Sequence, residues 1–223
     1  MRAIAPSSDQ VLHATAHHEA GHAVIAYRFR KLIRDDITVD PSGNGIVPCQ
    51  PEVQPYTAEW CHSMGGAMWR SYITKVEREI IVCLAGPLAE ARYLLGHSPS
   101  GICRGDTQDF EEVKTWMRCL GPDPSEIKEW MLHDRTRKML RERRTWGALK
   151  ELADKLIQSG SVSAETAEDL FSQWRVPRIT EKAWVCNVRM PASASKYTLG
   201  DPPMVRPGCS KRILQRRADL KGD

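Results

Sequence analysis

The sequence predicts a mainly helical α+β domain, and three observations carry that prediction. Two long segments, residues 11–31 and 71–95, repeat apolar residues at helical spacing. One short segment, residues 36–40, alternates and is rich in β-branched residues, as a strand does. The 223 residues are 41% hydrophobic and 27% charged, the composition of a soluble protein with a sizeable core.

The first helix, residues 11–31, carries an apolar stripe of Ala16, Ala20, Ala23, Val24 and Tyr27. Asp9 suits its N-cap, and Arg28, Arg30 and Lys31 suit its C-terminal end, where the helix dipole favours cations. Asp36-Ile37-Thr38-Val39-Asp40 follows as a strand, and Pro41-Ser42-Gly43-Asn44-Gly45 is a strong turn signal. Ile46-Val47 begins a returning strand, and residues 48–66 read as an irregular loop.

The second helix, residues 71–95, keeps its period through Ile73, Val76, Ile80, Leu84, Leu88, Ala91 and Leu95. Pro87, preceded by Gly86, predicts a kink within it, and Gly96 a stop. A third helix begins near Asp106 or Thr107, buries Phe110, Val113, Met117 and Leu120, and ends at Gly121-Pro122-Asp123-Pro124. Ser125 caps a helix over 126–141, the helical pattern continues to 157, and Ser163 caps a last helix over 164–174. Past Pro177 the periodicity fades. The expected organisation is an N-terminal segment (1–10), a domain (11–175) and a basic, Pro-containing tail (176–223).

Charge and cysteines set further bounds. The formal net charge is +4, and the tail holds ten Lys or Arg against four Asp or Glu, so the domain itself is slightly acidic. Such a tail offers one alternative function, as an adaptor for nucleic acid or membrane. Seven cysteines, an odd number with no C-x-x-C pair and no secretory leader ahead of them, predict reduced thiols and a cytoplasmic setting. The longest apolar run, residues 80–89, is far shorter than the roughly 18 residues of a membrane span.

The chemistry centres on His18-Glu19-Ala20-Gly21-His22, an H-E-x-x-H pattern inside the first helix. Residues four apart share a helix face, so His18 and His22 can address one metal ion. Glu19 then sits beside a metal-bound water as its general base. A catalytic zinc site usually takes three protein ligands, so a third must come from downstream. The acids of the second helix, Glu77, Glu79 and Glu90, and those at the start of the third, Asp106 and Asp109, are the candidates. His13, His17, His62, His97 and His133 are assigned no role.

Four blocks in order resemble the peptidase domain of the FtsH family of ATP-dependent zinc metalloproteases. His18-Glu19-Ala20-Gly21-His22-Ala23 matches its zinc helix, and Ile37-Thr38-Val39-Asp40-Pro41 its following strand. Leu84-Ala85-Gly86-Pro87-Leu88-Ala89-Glu90 resembles its A-G-R-A-A-E helix, and Gly105-Asp106-Thr107-Gln108-Asp109-Phe110 its G-A-S-N-D-L/I segment. The resemblance spans about residues 14–171. It implies Zn2+ held by His18, His22 and Asp109, with Glu90 supporting a ligand histidine. It also implies substrate held along Ile37, Thr38 and Val39 by strand pairing.

The expected function is zinc-dependent endopeptidase activity on unfolded or flexible polypeptide. The alternative is a catalytically silent peptidase-like domain that binds a partner protein. The chain departs from the family in lacking a phosphate-binding G-x-x-x-x-G-K-[ST] loop, so ATP-driven unfolding would need an ATPase or unfoldase partner in trans. Pro87 stands where the family has Arg, and Asp106 where it has a small residue. The oligomeric state stays open.

Overall fold

The computed structural model describes residues 7–56, 66–97, 108–120, 126–180 and Trp184. Within them the chain is mainly helical, with a small three-stranded antiparallel sheet. The elements run α1 (Ser8–Arg28), β1 (Ile37–Val39), β2 (Gly45–Ile46), α2 (Gly66–Leu95) and α3 (Gln108–Arg118). They continue with α4 (Glu126–Arg141), α5 (Arg143–Ser159), β3 (Ser161–Val162) and α6 (Ala164–Gln173). The expected stop at 121–124 and cap at Ser125 lie outside the described residues, as do Asp106, Thr107 and most of the tail.

α1 is the central helix. From Ala16 to Arg28 every residue but His22 is buried, because α2 covers one side and α5 the other. Five alanines and Gly21 are among the buried residues of α1, which lets the helix axes come close. Ser7, not Asp9, is the N-cap: its hydroxyl accepts from the Gln10 amide at 3.3 Å, and Asp9 lies in the first turn. The helix ends at Arg28 rather than 31, since Arg30 turns left-handed (φ 59°) and the Lys31 amide folds back to the Ala26 carbonyl at 3.0 Å.

α2 runs unbroken through Pro87 and starts five residues before the expected Ser71. α4 and α5 are separate helices. Between them Glu142 turns its carboxylate to the buried Arg28 guanidinium (2.7 and 3.0 Å) instead of capping α5. Gly160 ends α5 in the left-handed conformation (φ 72°), and Ser163 caps α6 by accepting from the Thr166 amide at 3.2 Å.

The sheet order is β2-β1-β3. Thr38 pairs with Ile46 and Val39 with Gly45 on one side; Ile37 pairs with Val162 and Thr38 with Ser161 on the other. The hairpin between β1 and β2 is extended by a bridge between Ile33 and Cys49. Asp40 N–H donates to the Asn44 carbonyl and Val39 N–H to the Gly160 carbonyl, both at 2.9 Å. Antiparallel alternation then directs Thr38 toward β2 and turns Gly45's amide and carbonyl outward, to the free edge of the sheet.

Packing continues past the expected boundary at 175. Val176 is buried, and Ile179 N–H donates to the Arg28 carbonyl at 2.7 Å. Trp184 is fully buried, donates its indole N–H to Glu77 at 3.1 Å and lies under the Arg135 guanidinium. Its ring meets Phe29 edge-on at 5.1 Å. The domain therefore reaches at least Trp184. Trp184→Ala is expected to cost about 3–5 kcal/mol of stability in urea titration, the range for emptying a buried tryptophan site. No helix among the described residues is long and apolar enough to cross a membrane.

Candidate metal centre

One face of α1 carries both histidines to the first turn of α3. His18 Nε2 lies 2.9 Å from Asp109 Oδ2, and His22 Nε2 lies 3.3 Å from Asp109 Oδ1. One ligand atom from each of the three residues falls within 4.8 Å of the others. Tetrahedral zinc with bonds of about 2.0–2.1 Å spaces neighbouring ligand atoms by roughly 3.3 Å. The three residues could close on a metal ion by drawing together, and two imidazoles plus a carboxylate are a donor set that suits zinc.

The remaining ring nitrogens are also engaged. His18 Nδ1 is 2.8 Å from Glu90 Oε2, and His22 Nδ1 donates to the Val82 carbonyl at 2.7 Å. A carbonyl only accepts, so His22 carries its proton on Nδ1 and, when neutral, turns the Nε2 lone pair to Asp109. Buried Glu90 orients His18 in the corresponding way. Both partners come from α2, in the stretch around Pro87, which has no amide to give the Cys83 carbonyl one turn earlier.

Glycine lets α2 come this close. A Cβ on Gly86 would lie 2.3 Å from His22 Nε2 and 2.7 Å from His18 Cδ2. One on Gly21 would lie 2.6 Å from the Ala85 carbonyl oxygen. Sequence reasoning missed both roles, as well as the Val82 carbonyl. Two glycines on two helices, each facing residues of the other helix, leave no local signal, and a backbone acceptor leaves none at all.

The other acids are engaged elsewhere. Glu77 accepts from the Trp184 indole and lies 3.5 Å from Lys128 Nζ. Glu79 pairs with buried Lys31 and accepts from the Glu52 amide at 2.8 Å. Asp106 lies outside the described residues. Burial pushes the nearby Cys83 thiol well above its ordinary range, and its Sγ lies 3.6 Å from Glu112 Oε2. His17 turns away from the group, donating its Nδ1 proton to the His13 carbonyl (2.8 Å) and stacking on Tyr93.

Ile37 and Val39 face the core, and only Thr38 is exposed. β1 is the central strand with both sides paired, so the expected edge pairing of a peptide along Ile37, Thr38 and Val39 is corrected. The returning strand expected at Ile46 is β2, whereas β3 was too short to be read, and β3 closes the second side of β1. Among the described residues β2 is the edge strand nearest the histidines, where Gly45 packs against the Glu19 side chain and Ile46 is exposed.

The charges of the site are strongly coupled. Burial opposes a proton on His18, but hydrogen bonds with Asp109 and Glu90 outweigh it and raise its pKa to about 10. Burial likewise opposes a proton on His22, and the Asp109 contact outweighs it. Burial works against Asp109 ionisation, and the two histidines overcome it, holding the carboxyl far below its usual range. Glu19 is raised, chiefly by burial, with the histidines pulling it back. A raised carboxylate pKa makes a stronger proton acceptor.

His18 titrates near 6.5 when unperturbed and near 10 in the metal-free fold. Its proton therefore stabilises that fold fully below about pH 6.5, and the contribution is lost as pH rises toward 10. A metal ion bound at His18 Nε2 would have to displace this proton. The thermal midpoint gained by adding zinc to chelated protein is expected to be larger at about pH 8.5 than at about pH 6.5. A gain that shrinks with pH would contradict the assignment of His18.

No family model matches the chain, and no curated protein matches it.

Proposed function

We propose that this chain is a zinc-dependent endopeptidase of the FtsH peptidase type, acting on unfolded or flexible polypeptide. The observation that carries the reading is the convergence of both histidine Nε2 atoms on Asp109, with their Nδ1 atoms held by Glu90 and the Val82 carbonyl. The ordered sequence blocks around His18, Ile37, Glu90 and Asp109 support it independently.

Zn2+ held by His18, His22 and Asp109 supplies Lewis acidity toward a water and toward the scissile carbonyl oxygen. Glu19, next to His18 and on the side facing β2, takes a proton from the attacking water and returns it to the leaving amine. Glu90 and the Val82 carbonyl keep the imidazoles oriented. Gly45's outward amide and carbonyl can bond a peptide backbone, which must be extended to pair there. That requirement is why the reading takes unfolded or flexible chains, delivered where necessary by an unfoldase in trans. Cys49, Cys83 and Cys119 are free thiols, in keeping with a reducing, cytoplasmic site of action.

The test is metal dependence. The purified protein is expected to cleave an unfolded reporter polypeptide, to lose the activity on chelation and to regain it with added zinc. Cleavage that persists in metal-depleted protein would reject the reading.

A further inference from the structure

Gly45 lies where the free edge of the sheet meets the metal centre. A Cβ built on it would sit 2.4 Å from Glu19 Cγ, 2.7 Å from Oε1 and 2.8 Å from Cδ. The three nearest atoms thus all belong to one side chain, and real Cβ atoms do not come within 3.0 Å of such neighbours. The strand has little room to retreat. Gly45 is paired with Val39, and the Asp40 amide holds the next residue, Asn44, at 2.9 Å. Glu19 is itself buried, in the central helix.

We infer that Gly45 is a positioning residue for Glu19: its bare backbone is the wall that fixes the glutamate carboxylate beside the metal centre. The inference rests on the peptidase reading for its catalytic consequence, but the contact itself does not. A methyl group at 45 has to push Glu19 by about 1 Å to reach ordinary contact distance, and displacements of that size cost up to about 100-fold in rate. None of the three nearest atoms belongs to His18, His22 or Asp109. Gly45→Ala therefore acts on the base and spares the metal.

The experiment compares wild type, Gly45→Ala, Glu19→Ala and the double variant, all as the full chain. Zinc dissociation constants, kcat and KM on the unfolded reporter, and thermal midpoints of chelated protein are read for each. Gly45→Ala is expected to lower kcat by about 10- to 100-fold while KM and zinc affinity stay within about twofold. It is also expected to lower the thermal midpoint in the wild-type background and much less in the Glu19→Ala background, where the three crowded atoms are gone. Unchanged kcat, or a matching loss of zinc affinity, would overturn the inference. A wild type that binds zinc without cleaving refutes the peptidase reading alone. The thermal comparison then decides this one, with equal losses in both backgrounds overturning it.

Discussion

Glu19→Gln is expected to keep its zinc and to lose peptide cleavage by about two to four orders of magnitude, the range attributed to a positioned general base. Glutamine fills the same space against Gly45, leaves His18, His22 and Asp109 untouched, and keeps every atom of the backbone wall. It removes only the ability to accept a proton. Zinc content measured on the same preparation separates this loss from a damaged site. Full cleavage by the variant would sink the proton-transfer role. Zinc binding without cleavage in the wild type would favour a silent, partner-binding domain.

Asp109→Ala has the second large expected effect, the loss of tight zinc binding. Asp109 is the only acid among the described residues that faces both histidine Nε2 atoms, and it brings the negative charge that a divalent ion needs. Glu90 meets His18 at the nitrogen turned away from Asp109, so Glu90→Gln is expected to weaken zinc by about 10- to 100-fold and no more. Competition with a chromogenic chelator ranks the two variants. If Glu90→Gln lost more zinc than Asp109→Ala, the third ligand would move to Glu90.

The parts of this centre differ in how openly the sequence states them. His18, Glu19 and His22 lie within one helical turn, so spacing alone proposes their chemistry. Asp109 lies 87 residues beyond His22, and spacing left it level with four other acids. The resemblance singled it out, and the fold brings it to the histidines. Glu77 and Glu79 look equivalent to Glu90 along the sequence. They differ in what they meet, namely Trp184 and Lys31, which only tertiary packing decides.

The long helices were legible from period because each buries a whole face. β2 was legible as the strand returning after the turn at 41–45, but the two-residue β3 was not, since pairing rather than pattern makes it a strand, and that hid the central position of β1. Trp184 was hidden for a related reason. A single buried anchor in a stretch without periodicity gives no repeating signal.

The separation between His22 and Asp109 has a consequence for folding. An ion held by both closes a loop of nearly ninety residues and ties α3 to the central helix. A covalent cross-link over a loop of that size removes up to roughly 4–5 kcal/mol of chain entropy from the unfolded state. Reversible coordination does the same only while metal is available, so its contribution scales with free zinc by mass action. Zinc in this protein would thus act as a removable rivet as well as a reagent, and scarcity of the ion would loosen the chain as it silenced the site.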